Sequence, residues 1–114
     1  MQRLLIAIAA ALASLIFAAP ASAQITLDDY NSLQAGDTKH HVETLIDDVG
    51  CRVGPTSLHN GKYWQRKIYK MEGNNPAWVI IVYSKDDADS SWLLVSKSVT
   101  NDLQLSGITS YTCP

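Results

Sequence analysis

The chain has 114 residues, with 9 Lys and Arg against 11 Asp and Glu, two cysteines and one hydrophobic block at its start. This length allows one small domain and excludes two-domain enzymes, wide barrels and large cofactor clefts. The mildly acidic balance argues against a nucleic-acid or anionic-membrane partner, since either would want a basic surface.

Met1-Gln2-Arg3 is a short basic start, residues 4–19 are an apolar run, and Pro20 is followed by the small triplet Ala21-Ser22-Ala23. That order predicts a secretory signal over residues 1–23 with cleavage after Ala23. The run is shorter than the roughly 20 residues of a spanning helix, so no membrane span is expected after cleavage. No cysteine follows the block directly, which argues against a lipid-anchored precursor. Residues 24–114 then form a single exported domain, periplasmic or secreted. Loss of Arg3 takes its net charge from −2 to −3, and loss of Phe17, the only Phe, leaves a core of Val, Ile, Leu, Tyr and Trp. Outside the cytoplasm Cys51 and Cys113 are expected to form a disulfide. Neither a Cys-x-x-Cys spacing nor an adjacent base accompanies them, so the bond is read as structural.

Thr26-Leu27-Asp28-Asp29 has the pattern of a capping box, and Tyr30 and Leu33 follow at helical spacing before Gly36. A short first helix is predicted over 27–34. Asp37 or Thr38 caps a second, over 38–49, whose stripe is Val42, Leu45, Ile46 and Val49, with Gly50 as its left-handed exit. After Cys51 the pattern changes. Residues 52–59 read as an irregular edge strand broken at Gly54-Pro55, and Asn60-Gly61 as a hairpin turn. Strands follow over 63–71, 77–84 and 92–100, separated by Gly73-Asn74-Asn75-Pro76 and by an Asp-rich turn over 85–90. The 77–84 segment is almost wholly apolar, as in a central strand covered on both faces. Short turns imply antiparallel pairing. The expected class is α+β: two N-terminal helices packed on one face of a three- to four-stranded antiparallel sheet.

Little in the sequence resembles a catalytic or metal centre. His40 and His41 point about 100° apart on a helix and His59 precedes a turn, so no ligand cluster with metal spacing forms. The Asp groups 28–29, 47–48 and Asp86, Asp87 and Asp89 read as helix-start, helix-end and turn charges, and no phosphate loop or nucleophile signature is present. A non-enzymatic protein without a cofactor is expected.

Tyr30-x-x-Leu33-x-x-Gly36-x-Thr38-x-x-x-Val42-x-x-Leu45, ending in Gly50, resembles the helix-loop-helix opening of β-lactamase-inhibitor-like proteins. It is equally similar to that of the small lipoprotein of the outer-membrane barrel-assembly machinery, the BamE/SmpA type, although Asp37 stands where Met is usual. The likeness extends over most of residues 27–103, as a single repeat. It implies a helix pair followed by an antiparallel sheet whose open concave face binds a protein.

Strand parity supports such a face. Val79, Ile81 and Tyr83 group with Leu93, Val95 and Val99; Trp64 and Ile68 group with Trp78, Ile80, Val82, Trp92 and Leu94. Two helices cover one face only, which leaves the second group exposed unless residues 103–112 fold back under the disulfide. Trp64, Trp78, Trp92, Ile80 and Leu94 are therefore the candidate partner-binding residues. The expected function is an exported protein-binding module, an inhibitor or modulator of an extracytoplasmic enzyme. The alternative is an envelope scaffold resembling the small barrel-assembly subunit, and a homodimer through the same face also fits the pattern.

Overall fold

A computed structural model describes residues 23–73 and 77–114. Residues 1–22, which carry all but the last position of the predicted leader, and turn residues 74–76 lie outside the described residues.

Both helices start where their caps predict. Thr26 Oγ1 accepts the Asp29 N–H at 3.0 Å to open α1, Leu27–Ser32, and Thr38 Oγ1 accepts the His41 N–H at 3.1 Å to open α2, Lys39–Ile46. The second helix ends earlier than its apolar stripe suggests. The N–H groups of Asp47 and Asp48 both donate to the Glu43 carbonyl, and Asp47 takes the left-handed exit conformation, with φ 63°. Gly50 is also left-handed, but lies beyond the helix. Val49 is consequently 44% exposed and Leu45 36%, so only Val42 and Ile46 of the stripe are buried.

A two-residue strand, β1 (Gln24–Ile25), precedes α1, and β2 (Cys51–His59), β3 (Lys62–Met71), β4 (Trp78–Lys85) and β5 (Leu93–Thr100) follow α2. The β2–β3 hairpin turns on Asn60-Gly61, both at positive φ, as the dipeptide predicts. β3, β4 and β5 pair antiparallel in chain order. β1 runs parallel to the end of β3, where the Lys70 N–H donates to the Ala23 carbonyl at 2.7 Å and the Glu72 N–H to the Ile25 carbonyl at 2.9 Å. β2 and β1 thus share one edge of β3.

This arrangement corrects the predicted class. The protein is a curled, mixed sheet of five strands with two short helices; among the described residues strand accounts for 44% and helix for 20%. The sheet is not all antiparallel, and α1 and α2 are only six and eight residues long. A two-residue parallel strand leaves no alternation to detect, and Asp47 ends α2 before a long amphipathic face can develop.

On the face that the helices approach, Tyr69, Val79, Ile81 and Tyr83 are fully buried, in one cluster with Leu33, Val42 and Ile46. The same face carries buried polar groups. Lys39 Nζ donates to Gln65 Oε1 at 2.7 Å, Lys67 Nζ to the Val49 carbonyl at 2.7 Å, and Tyr69 OH to the Asp48 carbonyl at 2.9 Å. Lys97 Nζ holds α1 by donating to the Tyr30 carbonyl at 2.6 Å. These bonds fasten the helices in addition to the buried Leu33, Val42 and Ile46.

The tail crosses the opposite face. A 3₁₀ turn, Leu103–Ser106, leads to Ile108, which is buried in the cluster that includes Ile68 and Ile80. Tyr111 then packs on Trp78, Thr112 pairs with Arg52, and the predicted Cys51–Cys113 disulfide closes the path.

Candidate binding surface

The register fixes which predicted residues share a face. Directly opposed residues lie on the same side of a sheet. Trp64 opposes Ser84, Ile68 opposes Ile80, and Lys70 opposes Trp78, so Trp64, Trp78 and Ile80 share the face away from the helices. Trp92 and Leu94 do not join them. β5 shifts register between its pairings with Val82 and Tyr83, which inserts Val95 as an extra residue and places Leu94 opposite Tyr83. A one-residue insertion moves every side chain beyond it to the other face. Leu94 is 3% exposed on the helix face, and its N–H and carbonyl bond to the Asp37 carbonyl and the Gly36 N–H at 2.8 and 2.9 Å. Trp92 lies half-buried on that side, with Lys85 Nζ 4.7 Å and Lys39 Nζ 6.0 Å from its ring centroid. Burial, and next to it the Lys67 charge, holds the Lys39 ammonium below the usual lysine range.

The three that share a face differ in cover. Ile80 is 9% exposed. Trp78 is half-buried, with the Tyr111 ring 5.7 Å away on one side and Lys70 Nζ at 5.6 Å. Trp64 lies at the end that the tail does not reach. It is half-buried and donates its indole N–H to the His59 carbonyl at 3.1 Å.

Beside Trp64 the β2 strand leaves its partner. Pairing holds at Val53–Arg66 and resumes at Ser57–Trp64, and the interruption carries Gly54, at φ +69°, and Pro55. Proline cannot donate to a ladder, and left-handed glycine bends the strand outward. The bend opens a cleft of about 370 Å³, walled by Val53, Pro55, Ser57, Trp64, Arg66 and Val82. The sequence marked Gly54-Pro55 only as a break. Arg66, an exposed residue lining the cleft, was not among the predicted residues, although its parity with Trp64 was legible.

The histidines do not converge: His40 and His41 are exposed on the first turn of α2, and His59 is exposed at the end of β2. Among the described residues no helix is long and apolar enough to cross a membrane. The disulfide is consistent with an oxidising extracytoplasmic compartment. No protein-family model, curated protein or solved structure matches the chain.

Proposed function

We propose that the chain is an exported protein-binding module, rather than an enzyme, which docks a partner on the part of its sheet left open by both helices and tail. The observation that carries this reading is the Trp64 corner. A half-buried indole, held by a hydrogen bond to its own hairpin, borders an apolar-walled cleft on a rigid strand pair. Rigid aromatic side chains beside a preformed concavity bury much area at low entropic cost, which is the usual composition of a binding hot spot. On the helix face, by contrast, Lys39, Lys67 and Tyr69 are committed to fastening α2 and the segment after it, which leaves them little freedom for chemistry. Modulation of an extracytoplasmic enzyme is one form such docking takes.

The test is capture from the envelope and culture fractions of the native cell with the disulfide-bonded chain as bait. Trp64→Ala should lose the captured protein, and Trp92→Ala, on the opposite face, should keep it. Retention by a folded Trp64→Ala variant would rule the surface out.

A further inference from the structure

All eleven Asp and Glu lie on helices, turns and loops, whereas seven of the eight Lys and Arg among the described residues lie on strands, Arg52, Lys67, Lys85 and Lys97 on the helix side and the other three on the open face. Lys62, Arg66 and Lys70 follow one another on β3 at every fourth residue, about 13 Å apart, on the same face as Trp64. Their surroundings differ. Lys62 Nζ is 3.6 Å from Asp86, and Lys70 lies over the Trp78 ring. Arg66 has neither an ion pair nor a hydrogen-bond partner among the described residues, and its strand neighbours on this face are Val53 and Val82.

We infer that the partner of this surface is a protein that presents a carboxylate side chain flanked by apolar ones, with the carboxylate received by Arg66. The inference rests on the docking reading above and adds the chemistry of what docks. Arg66 is exposed and lines the cleft that Val53, Pro55, Trp64 and Val82 wall, so a molecule seated there meets a solvated cation at its edge. Covering that cation without a counter-charge is disfavoured, so a partner that offers an acceptor is preferred, and a carboxylate matches the guanidinium fork with two parallel bonds. A long polyanion fits less well. The Lys62 end of the row is closed by Asp86, in a turn that also holds Asp87 and Asp89, and Glu72 follows Lys70 at the other end. These carboxylates repel a chain of phosphates or sulfates tracking along the strand, but not one or two carboxylates placed between them.

The experiment measures fluorescence-anisotropy binding of the disulfide-bonded chain to three short labelled peptides, alternating leucine with glutamate, serine or lysine, with heparin and single-stranded DNA as competitors. The glutamate peptide should bind best and weaken by about tenfold in Arg66→Glu, with Lys85→Glu on the other face unchanged. Raising NaCl from about 50 mM to about 500 mM should weaken it severalfold. If the serine peptide binds as tightly, and Trp64→Ala abolishes its binding, the docking surface stands and the acidic partner is wrong. Trp64→Ala without effect on any peptide would remove the docking reading itself. No binding of the glutamate peptide, an unchanged Arg66→Glu, or preferential capture of heparin or DNA each overturns the inference.

Discussion

Gly50 offers the sharpest test of the packing. It joins α2 to β2 at φ +76°, and a Cβ built there would lie 2.7 Å from Tyr69 Cζ and 2.9 Å from Cε1. The ring cannot yield cheaply, because Tyr69 is fully buried and its hydroxyl donates to the Asp48 carbonyl at 2.9 Å, two residues before the glycine. Gly50→Ala therefore meets two costs: about 1–2 kcal/mol for a left-handed L-residue and about 1–3 kcal/mol for overpacking a closed core. Gly54 is the internal control. Its φ of +69° is similar, but nothing lies within 4 Å of its Cβ position, so Gly54→Ala bears only the backbone cost. Urea unfolding followed by tryptophan fluorescence should place Gly50→Ala about 1–3 kcal/mol below Gly54→Ala. At about 4–8 °C per kcal/mol for a domain of this size, the gap is also visible as a melting shift. Equal destabilisation by the two substitutions would refute the argument that the Tyr69 ring is pinned against this turn.

The disulfide closes a loop of 62 residues, and the loop-entropy relation gives ~4 kcal/mol for it; a Cys51→Ala, Cys113→Ala double variant should unfold at much lower urea and, by freeing the tail, raise acrylamide quenching of Trp78. Burial pushes the Tyr69 and Tyr83 phenols well above the usual tyrosine value. A folded value above the unfolded one gives stability that is complete below about pH 10 and lost as pH rises beyond it, at about 1.4 kcal/mol per pH unit for each phenol. Far-UV circular dichroism should show alkaline unfolding, and Tyr83→Phe should roughly halve its pH slope. The Tyr83 hydroxyl is also buried without a hydrogen-bond partner among the described residues, so at pH 7 Tyr83→Phe should leave thermal stability unchanged or raise it by up to about 1 kcal/mol. N-terminal sequencing of the native protein should begin at Gln24; a start within residues 1–22 would remove the predicted cleavage site.

Most of the local structure was legible because local chemistry dictates it. Thr26 and Thr38 cap helices by an interaction within three residues, Asn60-Gly61 turns a hairpin through its own dihedrals, and the short apolar run from Trp78 to Tyr83, bounded by turns and rich in β-branched residues, reads as a buried strand. What stayed hidden depends on distant groups. The parallel pairing of Gln24–Ile25 exists only because Lys70 and Glu72 offer N–H groups at the end of β3. The exit of α2 at Asp47 is equally contextual: the stripe continues to Val49 in sequence, but its last member faces water. The buried Lys67 was invisible for a similar reason, since its partners, the Val49 carbonyl and the Glu43 carboxylate 3.7 Å away, belong to the other layer.

The division of the tryptophans has a deeper cause. Trp92-Leu93-Leu94-Val95 is four apolar residues in a row, so either parity buries two of them, and an extra residue at Val95 leaves no mark on the pattern. What decides the register is hydrogen bonding outside the strand: the Gly36–Asp37 loop captures both polar groups of Leu94 and so requires that this residue, not Leu93, turn inward. The surplus of exposed aromatics inferred from parity therefore shrinks twice. Trp92 passes to the helix face, and Tyr111, in the tail secured by the disulfide, takes one side of Trp78. Trp64, half-buried like the other two, borders the cleft that opens where Gly54 and Pro55 interrupt the pairing of β2. An isolated half-buried indole would be weak evidence for a docking site. Coupled on one strand to an arginine with no partner among the described residues, it supports the proposed docking more specifically, since in that proposal the apolar cleft would supply the driving force and the guanidinium would restrict what can use it.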